Sequence, residues 1–181
     1  MELRKRKSNR LKDYDYSETG AYFVTICVKE KHCILSTIVG DGVLDVPGKS
    51  SNLSGISRAE VLLTDIGAII QNQLEEMRQT YDHILIDSYV IMPNHIHLLL
   101  SLREQAPAGD SGTSRTPSPT NASIPSFVSC LKRFTNKKAG FDIWQRSYHD
   151  HIIRSEEDDW LHRQYIEQNP QRWAEDEYHY Q

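Results

Sequence analysis

The sequence predicts an α+β fold: an antiparallel sheet with helices packed on one face and a further helix near the C-terminus. Three observations lead to it. Short apolar, β-branched runs recur at 21–28, 83–92, 95–102 and 149–154. Apolar residues recur at helical spacing through 66–77 and 127–134. These segments follow one another as strand, helix, two strands, helix, strand and helix.

In chain order, Ala21-Tyr-Phe-Val-Thr-Ile-Cys-Val28 follows Gly20 and reads as a buried first strand. The stretch from 40 to 60 holds Gly40, Gly42, Pro47, Gly48 and several serines. It reads as a loop or a minor hairpin ending at Val61-Leu62-Leu63. Thr64-Asp65 is an N-cap signal, because a short side-chain oxygen there can accept a free N–H of the first turn. Ile66, Ile69, Ile70, Leu74 and Met77 then form one helical stripe down to about Arg78. His83–Met92 and His95–Leu102 read as two strands joined by Pro93-Asn94, a turn that makes them antiparallel.

Residues 103–123 combine Pro107, Pro117 and Pro119 with Gly109, Gly112 and many Ser and Thr. Such a composition cannot bury enough surface to order itself, so a mobile loop is expected. Ile124–Lys138 puts Phe127, Val128, Leu131 and Phe134 on one helical face and Lys132, Arg133, Lys137 and Lys138 elsewhere on the helix. Gly140 stops it. His149–Arg154 is a short extended segment. Ser155 caps a last helix whose first turn is Glu156, Glu157, Asp158 and Asp159, and Pro170 ends that helix. This order suits a ferredoxin-like sandwich.

A chain of 181 residues with 38% hydrophobic residues is long enough for one core and short for two, so a single domain is expected across 1–181. Within it, residues 1–19 read as a basic arm and 174–181 as a tail. The net charge of −4 disfavours a generic nucleic-acid binder, but the charge is segregated. Arg4, Lys5, Arg6, Lys7, Arg10 and Lys12 crowd the first twelve positions, while acids gather at 156–159 and 175–177. Three cysteines, Cys27, Cys33 and Cys130, make an odd number without paired metal spacing. That argues against a disulfide framework or a cysteine-based zinc site and for the reduced cytoplasm. No run approaches the ~20 apolar residues of a membrane span, so neither secretion nor membrane insertion is expected.

Residues two apart on a strand face the same way, so His95 and His97 project together while Ile96 and Leu98 turn to the core. An arbitrary His-x-His pair is more often solvent-side. This one stands at the start of a strand just after a turn, where a rigid scaffold meets an open edge, and two imidazoles on one face make half a metal site. Without cysteines to help, oxygen donors and a Mg²⁺- or Mn²⁺-like ion are favoured over structural zinc. Tyr165 and Asn169, four apart on the last helix, share a face and can present a phenol and an oxygen donor side by side. They read equally as the edge of an amphipathic core and a plain helix terminus.

The motifs Met92-Pro-Asn-His-Ile-His97, Trp144-Gln-Arg-Ser-Tyr148, His151-Ile-Ile-Arg154 and Tyr165-Ile-Glu-Gln-Asn-Pro170, in this order, resemble those of the REP-associated tyrosine transposases. These are single-tyrosine HUH enzymes related to small insertion-sequence transposases. The resemblance runs from about Leu11 to Trp173, and the inserts at 40–60 and 103–123 depart from it. It implies His95 and His97 as metal ligands, Asn169 as the third ligand and Tyr165 as the nucleophile. It implies a divalent metal cofactor and strand transfer on single-stranded DNA beside a hairpin, through a 5′-phosphotyrosine link.

On that footing Arg4, Lys5, Arg6, Lys7, Arg10, Lys132, Arg133, Lys137 and Arg154 are expected to contact phosphates, with Tyr14, Tyr16 or Trp144 stacking on bases. Arg154 can equally pair with Glu156 or Glu157. Tyr148 is the rival nucleophile, but a residue heading a strand is fixed to the sheet, whereas a terminal helix can deliver and withdraw its tyrosine. Tyr178 and Tyr180 lie in a tail without signs of rigid placement. A non-catalytic hairpin-binding module on the same fold is the alternative, as is a metal-dependent hydrolase using water, and monomer and homodimer are both compatible with the sequence.

Overall fold

The computed structural model describes residues 18–40, 59–104 and 124–179. The N-terminal arm with Arg4, Lys5, Arg6, Lys7 and Arg10, together with Tyr14, Tyr16, Tyr180 and the greater part of both inserts, lies outside the described residues.

Four strands form the main sheet: β1 (Gly20–Cys27), β4 (Ile84–Ile91), β5 (His95–Leu102) and β6 (His149–Ile153), in the spatial order β4-β5-β1-β6. All neighbouring pairs are antiparallel, and β5 and β1 are the inner strands. This is the ferredoxin-like order. A second, two-stranded sheet pairs β2 (Ser36–Val39) with β3 (Glu60–Leu63), so the hairpin reading of the 40–60 region holds where its flanks are described.

Helix α1 (Asp65–Thr80) begins where expected, with the Thr64 hydroxyl accepting from the Gly67 N–H at 3.1 Å. Gly67 is required by packing, since a Cβ there would stand 2.1 Å from the Leu35 carbonyl oxygen. Helix α2 (Ile124–Ala139) ends at Gly140, whose φ of +81° is a conformation that glycine adopts without a Cβ clash. Helix α3 (Glu156–Gln168) is capped by Ser155, which accepts from the Asp158 N–H at 3.1 Å. Pro170 does not stop the chain dead. It sits in the first turn of a 3₁₀ segment, Asn169–Glu175, where its missing N–H costs nothing.

Strand alternation divides the interior in two. Tyr22, Val24, Ile26, Ile96, Leu98 and Leu100 pack with Ile70 and Leu74 of α1 and with Phe127, Val128 and Leu131 of α2. On the opposite face Phe23 and Leu99 pack with Ile166 of α3 and Trp173. Helices α1 and α2 therefore share one face, and α3 lies across the other. Among the described residues no helix is long and apolar enough to cross a membrane.

Candidate active site and metal centre

His95 and His97 sit at the start of β5 on the face covered by α3, and both are buried, at 0% and 1% exposure. The solvent-side alternative is thereby excluded. Their Nε2 atoms stand 2.9 Å apart. The outer nitrogen of each ring is held: His95 Nδ1 lies 2.8 Å from Asn94 Oδ1, and His97 Nδ1 lies 2.8 Å from the Thr25 hydroxyl. A carbonyl oxygen only accepts, so His95 carries its hydrogen on Nδ1 and turns the Nε2 lone pair inward. Asn94 is fixed in turn, donating from Nδ2 to the carbonyls of Tyr178 at 2.7 Å and Lys31 at 3.3 Å.

Burial, reinforced by the Lys31 charge, lowers His95 to about 3. Burial holds His97 well below its ordinary value too, helped by His95 and His162. Both imidazoles are neutral at physiological pH, which is the ligating form.

Asp176 approaches this pair from the C-terminal 3₁₀ segment. Its carboxylate is 1% exposed, and Oδ2 lies 4.0 Å from His95 Nε2. The same oxygen accepts from Asn169 Nδ2 at 2.9 Å, while Oδ1 accepts the Tyr178 N–H at 2.7 Å. Asn169 thus reaches the site through Asp176, with its amide nitrogen engaged. Its Oδ1 is buried without a hydrogen-bond partner among the described residues. Two neutral imidazoles, a buried carboxylate and an orphaned amide oxygen are a donor set that a divalent cation satisfies. The two histidines and Asp176 converge within 4.8 Å.

Tyr165 is 39% exposed on α3, its ring edge-on to His97 with centroids 5.1 Å apart. It opens onto a cleft of about 780 Å³ lined by Phe23, Thr25, His97, His151 and His162 among others. Burial and the carboxylates of Asp176 and Glu177 push its phenol up to about 12, with a hydrogen bond from the Asn169 side chain acting the other way. Tyr148 packs against the core on the α1–α2 side of the sheet, away from the histidine pair.

Several expected contributors stand elsewhere. Lys132 donates to the carbonyls of Gln145 and Ser147, both at 2.8 Å, so its ammonium pins the loop before β6. Burial lowers it to about 8. Trp144 is buried at 6% exposure and donates from Nε1 to Thr135 Oγ1 at 2.8 Å, which removes it as a stacking platform. Arg133 and Lys137 are carried by α2, across the sheet from the cleft, and so is Lys138, which is paired with Glu76 at 2.7 Å. At the start of α3, the Arg154 N–H donates to the Asp158 carboxylate at 3.1 Å. Sequence reasoning missed Asp176, read as one of an acidic run, and Tyr178, read as loose tail. Tyr178 lies over His95 with ring centroids 4.7 Å apart. The aromatic pair Trp173 and Tyr178 beyond the helix was the signal that this segment packs.

No family model matches the chain. An uncharacterized protein from Haemophilus influenzae is 31% identical over 183 residues, covering 95% of this chain and 92% of that one. A solved REP-associated tyrosine transposase bound to a REP hairpin shares the fold. It has a TM-score of 0.57 at 18% identity, over 91% of this chain and 73% of that one.

Proposed function

The chain belongs to the family of that Haemophilus influenzae protein, and we propose that it is a metal-dependent DNA strand-transfer enzyme of the single-tyrosine HUH class. Its substrate in this reading is single-stranded DNA beside a hairpin, and its place of action the cytoplasm. The observation that carries the reading is the meeting of a partly exposed tyrosine edge with the buried, neutral His97 at one cleft, with His95 buried behind it and its Nε2 2.9 Å from that of His97.

In this mechanism the Tyr165 oxygen attacks the scissile phosphorus. A Tyr–O–P ester forms, the P–O3′ bond breaks, the phenol gives up its proton, and the departing 3′ oxygen takes one up. One ester replaces another, so the bond energy is kept for rejoining and no ATP is needed. Burial and, after it, the neighbouring carboxylates keep the phenol protonated. A Mg²⁺ or Mn²⁺ ion held by His95 and His97, with oxygens of Asp176 and Asn169, would offset that negative charge and stabilise charge building on the phosphate. Thr25 and Asn94 hold the two rings, and Phe23, stacked on His97 at 5.0 Å, shields the pair. The basic arm (Arg4, Lys5, Arg6, Lys7, Arg10), Arg133, Lys137 and Arg154 remain candidates for backbone phosphates, while Lys132 is committed to its loop.

The test incubates the protein with Mn²⁺ and labelled hairpin-flanked single strands and looks for a denaturant-stable shift. Tyr165→Phe should abolish the adduct and leave hairpin binding within about twofold, since one hydroxyl is removed, whereas Tyr148→Phe should retain it. An adduct that survives in Tyr165→Phe and disappears in Tyr148→Phe overturns the assignment. Hairpin binding without any adduct in the wild type favours a binding module over a transferase.

A further inference from the structure

We propose that His151, Asp158 and His162 form a second metal-ion site, suited to Zn²⁺, Co²⁺ or Mn²⁺, in the wall of the cleft that holds Tyr165. Two elements supply it. His151 projects from β6 on the cleft face of the sheet, and Asp158 and His162 stand one turn apart on α3. His151 Nε2 lies 2.9 Å from Asp158 Oδ2, and His162 Nδ1 lies 3.1 Å from Asp158 Oδ1. The two rings stack at 4.8 Å with 20° between their planes, and one donor atom from each of the three residues falls within 4.8 Å of the others.

Two imidazoles and one carboxylate are the donor set of open transition-metal sites, where the remaining positions take water or a substrate oxygen. Openness is present here: the His151 side chain is 52% exposed, and His151 and His162 both line the cleft. The carboxylate is also held in place, because the Asp158 N–H is tied to the Ser155 cap and the Arg154 N–H donates to Oδ2 at 3.1 Å. Among the described residues no lysine or arginine side chain is a hydrogen-bonding or ion-pair partner of Asp158; imidazoles take that place.

Without an ion His151 Nε2 directs its N–H at Asp158 Oδ2, while His162 Nδ1 directs its N–H at the Asp158 main-chain carbonyl at 2.8 Å. A cation takes the place of those two hydrogens. Each proton moves to the other nitrogen of its ring, which frees the lone pair that the ion takes. The metal assignment does not depend on the strand-transfer reading. Use of the open positions for phosphodiester oxygens does rest on it, since Tyr165 follows His162 by three residues on the same helix.

The test titrates metal-free full-length protein with Co²⁺, without DNA, and follows heat and visible absorption. Wild type should bind two equivalents and His95→Ala/His97→Ala one. His151→Ala/His162→Ala should bind one, and the quadruple variant none. Asp158→Asn should weaken the retained site at least tenfold. An unchanged stoichiometry in His151→Ala/His162→Ala overturns the proposal, and so does a wild-type stoichiometry of one that His95→Ala/His97→Ala abolishes. If the quadruple variant fails to fold, the comparison of wild type with the singly substituted His151→Ala, at an exposed position, decides it. Failure of the strand-transfer reading would show as a missing DNA adduct with this stoichiometry intact.

Discussion

Acidifying the metal-free protein from pH 7 to pH 5 should remove a large part of its stability, and the histidine pair is the reason. His95 is fully buried, and its pKa is lowered to about 3 from the ordinary 6.5. Between those values the unfolded chain binds a proton that the folded chain refuses, so stability is complete above pH 6.5 and falls as pH drops toward 3. Each unit below 6.5 costs about 1.4 kcal/mol per such histidine, which gives about 2 kcal/mol for His95 at pH 5. His97, shifted in the same direction by burial first and His95 second, adds to this loss. Asp158, lowered chiefly by its hydrogen bond to His151, loses its contribution at still lower pH and does not enter this window. The assay is urea denaturation in chelator from pH 5 to 8, for wild type and for His95→Gln/His97→Gln. The variant should show a pH slope shallower by most of that amount. Equal slopes in the two proteins would refute the reasoning.

Two further outcomes follow from packing and from the donor set. Gly67→Ala should destabilise by about 1–3 kcal/mol, because the new methyl meets backbone that cannot swing aside. A thermal melt reads this, and an unshifted midpoint would contradict the close approach to Leu35. In Mn²⁺ titration on a His151→Ala/His162→Ala background, Asp176→Ala should lower affinity roughly 10- to 100-fold and Asn169→Ala by less. Asp176 brings the charge and lies beside His95, whereas Asn169 acts first by holding Asp176. Unchanged affinity in both variants would remove the C-terminal segment from the site.

Much of this molecule is local and therefore legible in its sequence. The alternation of β5 already put His95 and His97 on one face. The stripes of α1 and α2, the Thr64 and Ser155 caps and the stop at Gly140 each depend on neighbours a few residues away. Spacing likewise put Tyr165 on the last helix, with Asn169 one turn beyond it at the helix end. What sequence could not decide is which face of the sheet each helix covers, and that choice separates Tyr165 from Tyr148 and the basic side of α2 from the cleft. Nor could it show that Lys132 is spent on loop carbonyls, that Trp144 is buried, or that Asp176 and Tyr178 return to His95. The physical reason is the same in each case. A helical or strand period is set by backbone geometry over a few residues. The partner of a charge or a ring is set by which surfaces meet once the apolar faces are buried, and that is a property of the whole chain.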